Sequence, residues 1–96
     1  MPAMLVAMEP LHLAVILGST RQNRFGEKPA RWIHSHLQQW PGVTSRLFDL
    51  RDYPMPFFEE AVPPARRGDQ PYGNDVVQRW TAELAASDGF VIVTPE

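Results

Sequence analysis

The residues best suited to chemistry lie close together near the start of the chain: Gly18-Ser19-Thr20-Arg21, followed by Arg24. They supply two hydroxyls and two guanidiniums beside a glycine, with no nucleophile or general base among them. Such a set suits the holding of an anion. An arginine fork can meet two phosphate oxygens at once, and a helix starting just beyond adds orphan N–H groups and the positive end of its dipole. The same residues also make an ordinary capped strand-to-helix turn, because Ser and Thr are common caps and a surface arginine is often only solvated. Both readings stay open from these residues alone. Little else competes for a chemical role. There is no cysteine, hence no thiolate, disulfide or Cys-bound metal. His34 and His36 stand two apart on a predicted helix and project in different directions, so they are expected to be surface histidines and not paired metal ligands.

The flanking pattern supplies a frame for that loop. Leu11, Leu13, Ala14, Val15, Ile16 and Leu17 form a near-continuous uncharged run, the mark of a strand covered on both faces in a parallel sheet. Beyond the loop, Ala30, Ile33, Leu37 and Trp40, with Trp32 beside them, recur every three or four residues and predict a helix over 26–40. Pro29 is tolerated in its first turn and Pro41-Gly42 stops it. Val43 to Leu50 alternates and predicts a second strand with one partly polar side, as at a sheet edge. Arg51 to Tyr72 carries five prolines and no sustained period. It is expected to be a binding loop in which Met55, Phe57 and Phe58 either cover a ligand or partner subunit or pack on their own sheet. Asn74 or Gly73 caps a helix over Asp75 to Ala86, and Ser87-Asp88-Gly89 ends it. Phe90 to Val93 is then a third uncharged run, again of the buried parallel type.

At 96 residues the chain is at most one domain, and such a length buries only about 60 to 65% of its unfolded surface. Its 44% hydrophobic and 21% charged content are those of a soluble globular protein, and a net charge of -2 gives no electrostatic case for nucleic acid. Residues 1–10 read as a flexible tail. Glu9, Pro10 and His12 interrupt the apolar start and no basic segment precedes it, so neither signal peptide nor membrane span is expected, and a cytoplasmic location is the default.

The element order is β-α-β-loop-α-β. Right-handed crossovers lay the three strands side by side with helices on both faces, the start of a doubly wound sheet; with the first strand central and the second its outer neighbour, the third joins on the other side, in the order 2-1-3. A crevice then opens between the carboxyl ends of the first and third strands, where Gly18-Ser19-Thr20-Arg21 and Thr94-Pro95-Glu96 would meet. Because a third strand ending there has an unpaired edge and an uncovered face, the chain is expected to be an N-terminal portion. The rival is a short protein whose edge another chain closes.

Three stretches in order, Gly18-Ser19-Thr20-Arg21 with Arg24 and Gly26, then FDLRDYPMPFFEE, then SDGFVIVTPE, carry a family resemblance. From His12 to Glu96 the chain resembles the NADPH-dependent FMN reductase family of flavodoxin-like proteins. The resemblance implies an N-terminal portion of a flavodoxin-like FMN-binding domain over 11–96, with later strands missing. It implies FMN phosphate on the loop after the first strand, at Ser19, Arg21, Arg24, Phe25 and Gly26. Pro95 and Glu96 would begin the loop that packs against the flavin ring. For the whole protein it implies hydride transfer from NADPH through FMN to a quinone, azo compound, metal oxyanion or free flavin, in a homo-oligomer (dimer or tetramer). No catalytic acid or base is required, because the flavin carries the redox chemistry.

The competing reading is a non-catalytic module that self-associates through its open sheet edge. A P-loop is disfavoured because no Gly-Lys-Ser/Thr closes the loop, and a dinucleotide fingerprint because no glycine falls between Gly18 and Gly26.

Overall fold

The computed structural model describes residues 9–57, 61–68 and 71–95. Its frame is a parallel sheet in the order β2-β1-β3, formed by β1 (Leu11–Leu17), β2 (Val43–Asp49) and β3 (Gly89–Val93). Helix α1 (Glu27–Leu37) links β1 to β2. Between β2 and β3 come the one-turn helix α2 (Pro64–Arg67) and helix α3 (Asp75–Ala85). The strand order is the expected 2-1-3, that of an incomplete flavodoxin-like α/β fold.

β1 is central, and it alone among the three strands buries apolar side chains on both faces. Ala14 and Ile16 pack with Phe48 beneath Leu50, Tyr53 and α3's Trp80 and Leu84. Val15 and Leu17 pack with Ala30, Ile33 and Leu37 of α1 and with Leu47, Val91 and Val93. Ala14, Val15 and Leu17 are at most 1% exposed. Full burial of one Val or Leu side chain is worth about 1.5–3 kcal/mol, so this one strand anchors both helical layers. Phe48 is the aromatic hub of its face, 6.3 Å from Tyr53 and 6.2 Å from Trp80 between ring centroids.

α1 ends at Leu37, short of the expected Trp40, because the chain tightens. Gln39 N–H donates to His36 O and Trp40 N–H to Leu37 O, three-residue bonds that stop the α-helical ladder. Gly42 then turns at φ +77° into β2. On α1's outer face Trp32 stacks on exposed His36 at 5.4 Å. His34 is half-buried instead, its Nδ1 2.8 Å from Ser45 Oγ on β2. Among the described residues no group of His and acidic side chains could hold a metal. α3 begins as expected: the Asn74 side chain accepts from the N–H groups of Val76 and Val77 at 2.8 and 3.1 Å.

Two expectations change. β3 is not buried on both faces: Phe90 and Ile92 are 50% and 60% exposed, on the face they share with Ala14 and Ile16. α3 lays Trp80 and Leu84 over the β1–β2 side of that face, leaving β3 uncovered there. Nor is Arg51 to Tyr72 without regular structure. A 3-10 turn at Leu50–Asp52 opens it, α2 interrupts it, and Tyr53 packs on the sheet, 5.0 Å from Trp80. Phe57 is almost fully exposed, and Phe58 lies outside the described residues. So do residues 1–8 of the expected tail. No helix among the described residues is long and apolar enough to cross a membrane.

Candidate functional site

The carboxyl ends of β1 and β3 are stitched together. Gly18 N–H donates to Val93 O at 2.9 Å, and a Cβ built on Gly18 would stand 2.9 Å from that same oxygen. Only glycine fits there without displacing main chain. The close approach that its lack of side chain permits is that of the neighbouring strand. At Gly26 a Cβ would press on Leu17 Cδ1 at 3.1 Å, so the start of α1 rests directly on the end of β1.

Between these ends lies an open cleft of about 460 Å³, within the range of small-molecule sites. Ser19, Arg21, Arg24, Phe25, Gly26 and Pro95 all line it, drawn from two segments about 70 residues apart in the chain. Glu96, the seventh candidate, lies outside the described residues. Pro29, Val93 and Thr94 complete the lining. Thr94 was legible as the neighbour of Pro95, whereas Pro29 read only as a helix-start proline.

The two arginines differ. Among the described residues nothing bonds the exposed guanidinium of Arg21; only its main chain does, Arg21 N–H reaching Ser19 Oγ at 3.2 Å and its carbonyl accepting from Arg51. Arg24 is buried and already engaged. Its Nη1 donates to Asp49 Oδ1 at 2.7 Å and to Ser19 O at 2.8 Å, and its Nη2 to Asp49 Oδ2 at 2.5 Å. Its Nε is buried without a hydrogen bond, 3.7 Å from Glu27 Oε2. The fork that the sequence offers to a phosphate is thus closed on Asp49 at the end of β2.

Asp49 therefore belongs to the site, although in the sequence it stands only within the FDLRDYPMPFFEE stretch at a strand end, with no sign of its pairing to Arg24. The hydrogen-bonded Arg24 guanidinium holds its carboxyl below the usual aspartate range, against desolvation, which pushes it up; the Arg51 N–H, at 2.9 Å from Oδ1, adds to the lowering. Arg24 is correspondingly raised, first by its bond to Asp49. Chemically the described lining of the cleft has a guanidinium without a partner among the described residues, Arg21, the hydroxyls of Ser19 and Thr94, and a rim aromatic, Phe25, which is 77% exposed. Among the described residues that line it, none is placed to take a proton. That is an arrangement for binding.

Comparison with known proteins agrees with this geometry. A family model described as NADPH-dependent FMN reductase matches residues 11–96. The chain is similar to the NAD(P)H-dependent FMN reductase ntnL of a Nectria species, 31% identical over 87 residues, which cover 88% of this chain and 43% of that protein. It is also similar to the NAD(P)H-dependent FMN reductase C4B3.06c of Schizosaccharomyces pombe, 29% identical over 96 residues, or 100% of this chain and 47% of that protein. It thus spans about half the length of these curated relatives. No solved structure matches it at a significant level. A match running from the first residue of β1 through the end of β3, over the strands that frame the cleft, places the chain in the NADPH-dependent FMN reductase family.

Proposed function

We propose that the protein to which this chain contributes is a flavoprotein oxidoreductase that takes hydride from NADPH by way of FMN and passes it to a small-molecule acceptor: a quinone, azo compound, metal oxyanion or free flavin. The observation that carries this reading is the shared cleft of the β1–α1 loop and the Thr94-Pro95 end of β3, with the Arg21 guanidinium on its wall bonded to nothing among the described residues. The residues fit the phosphate end of such a group. Arg24, whose buried Nε lacks a hydrogen bond, and Arg21, whose guanidinium has no partner among the described residues, both line the cleft. Arg21 and Ser19 would bind the phosphate, Phe25 would cover its outer side, and Thr94 and Pro95 would shape the wall nearer the ring. When bound, FMN supplies the hydride chemistry itself, so these side chains need only hold and orient it. We place this protein in the cytoplasm as a homo-oligomer, dimer or tetramer, acting without membrane or nucleic acid; the net charge of -2 accords with the last.

FMN titration of the longest chain the gene encodes, beside Arg21→Ala, tests the reading. Loss of a charge-assisted phosphate contact costs about 1.5 to 3 kcal/mol, roughly 10- to 150-fold in affinity. Unchanged affinity would remove Arg21 from the site. A second reading, a non-catalytic module that self-associates through the outer edge of β3, draws on the exposure of Phe90 and Ile92. It predicts a concentration-dependent increase in size with no flavin bound.

A further inference from the structure

Three successive carbonyls of the β1–α1 loop end on guanidiniums. Ser19 O accepts from Arg24 Nη1 at 2.8 Å, Thr20 O from Arg51 Nε at 3.3 Å, and Arg21 O from Arg51 Nη2 at 2.6 Å. Asp49 stands behind both arginines, bonding both terminal nitrogens of Arg24 and the main-chain N–H of Arg51. No peptide bond here is cis, so in each unit the C=O and the following N–H point in opposite directions. With the three carbonyls fastened toward the end of β2, the N–H groups of Thr20, Arg21 and Gln22 are turned away from the guanidiniums; that of Arg21 reaches Ser19 Oγ at 3.2 Å, and those of Thr20 and Gln22 have no bond among the described residues. Successive N–H groups presented together form an anion cradle.

We infer that Arg51, with Asp49 and Arg24, is a positioning residue that presets the β1–α1 loop for the phosphate of the flavin without touching the flavin itself. This rests on the reading of the cleft as a flavin site. Arg51 does not line that cleft; it borders a separate hollow with Thr20, Tyr53, Pro54 and Met55. Its contribution is to set the loop in its binding geometry before the ligand arrives, which raises affinity by lowering the ordering cost of binding. Lysine cannot replace it, because one ammonium does not reproduce a planar fork that reaches two carbonyls at once.

FMN and riboflavin, which differ by the phosphate, are titrated into the full-length protein and into Arg51→Met and Arg51→Lys. The clamp predicts that both variants lose FMN affinity by about tenfold while riboflavin affinity stays within about twofold of wild type. Arg51 is exposed, so neither substitution disturbs the core. Equal losses for FMN and riboflavin would assign Arg51 a general structural role and overturn the inference. Full FMN affinity in Arg51→Lys would reduce its part to long-range charge, and full affinity in Arg51→Met would remove it altogether. If wild type binds neither ligand, the flavin reading fails; if wild type binds FMN and Arg51→Met does so equally well, only the clamp fails.

Discussion

Arg24 and Asp49 meet through a two-pronged ion pair, 2.7 and 2.5 Å, that joins the start of α1 to the end of β2 across 25 residues of sequence. The pair is mostly withdrawn from water, with 4% of the Arg24 side chain and 26% of the Asp49 side chain exposed. Removing one partner strands the other, which is the costly way to break such a contact. Asp49→Asn is therefore expected to lower Tm by several degrees at neutral pH and to weaken FMN binding. Calorimetry and titration of the same preparation check both.

The pH dependence follows from the lowered Asp49 pKa. A carboxyl whose folded pKa lies below its unfolded value, about 3.9, stabilises the fold at pH above that value. That contribution disappears as pH falls through the folded value. The Tm difference between wild type and Asp49→Asn should accordingly be constant from neutral pH down to about pH 5 and shrink in the acid range below about 3.9. A difference that instead grew with acidification would contradict the pairing.

Gly18→Ala places a methyl 2.9 Å from Val93 O, the atom that accepts the Gly18 N–H. Since main chain cannot rotate aside, the seam between β1 and β3 must open. The expected cost is about 1–3 kcal/mol, read from urea denaturation, with loss of flavin binding out of proportion to the loss of stability.

Phe25→Ala should separate the two readouts in the other sense. The ring is 77% exposed on the rim of the cleft, so its removal should change stability by no more than about 0.5 kcal/mol. FMN affinity should fall by about 2- to 12-fold, the worth of one aromatic contact.

Phe48→Ala removes the hub between Tyr53 and Trp80, a ring that is 4% exposed. The expected loss is about 3–5 kcal/mol, a large part of the stability of a small domain. Tryptophan emission during urea unfolding reports it, because Trp80 packs edge-on against the deleted ring.

The sequence made legible what is carried by neighbouring residues. The uncharged run Leu11–Leu17 announced a strand covered on both faces and therefore in the middle of the sheet, and Asn74 announced the start of α3. Six of the seven candidate residues line one cleft because two strands of a parallel sheet end on the same side. What stayed hidden depends on distant partners. Arg24 reads as a fork open to a phosphate and Asp49 as a solvated charge until folding brings them together, and Arg51 reads as one more loop cation. The run Phe90 to Val93 says that its side chains are apolar, but the position of α3 decides which of them are covered.

The chain leaves β1 in one direction to reach β2 through α1, and returns past it in the other to reach β3 through α3. With right-handed connections, this reversal sends the two helices to opposite faces and leaves a gap above β1 that neither connection spans. The opening is thus a product of winding and not of the side chains around it. Substituting Ser19, Phe25 or Pro95 alters what is admitted while the hydrogen-bond ladders on either side of β1 stay whole. Such a rim can be re-engineered toward a different occupant one loop at a time, with the scaffold unaware of the change.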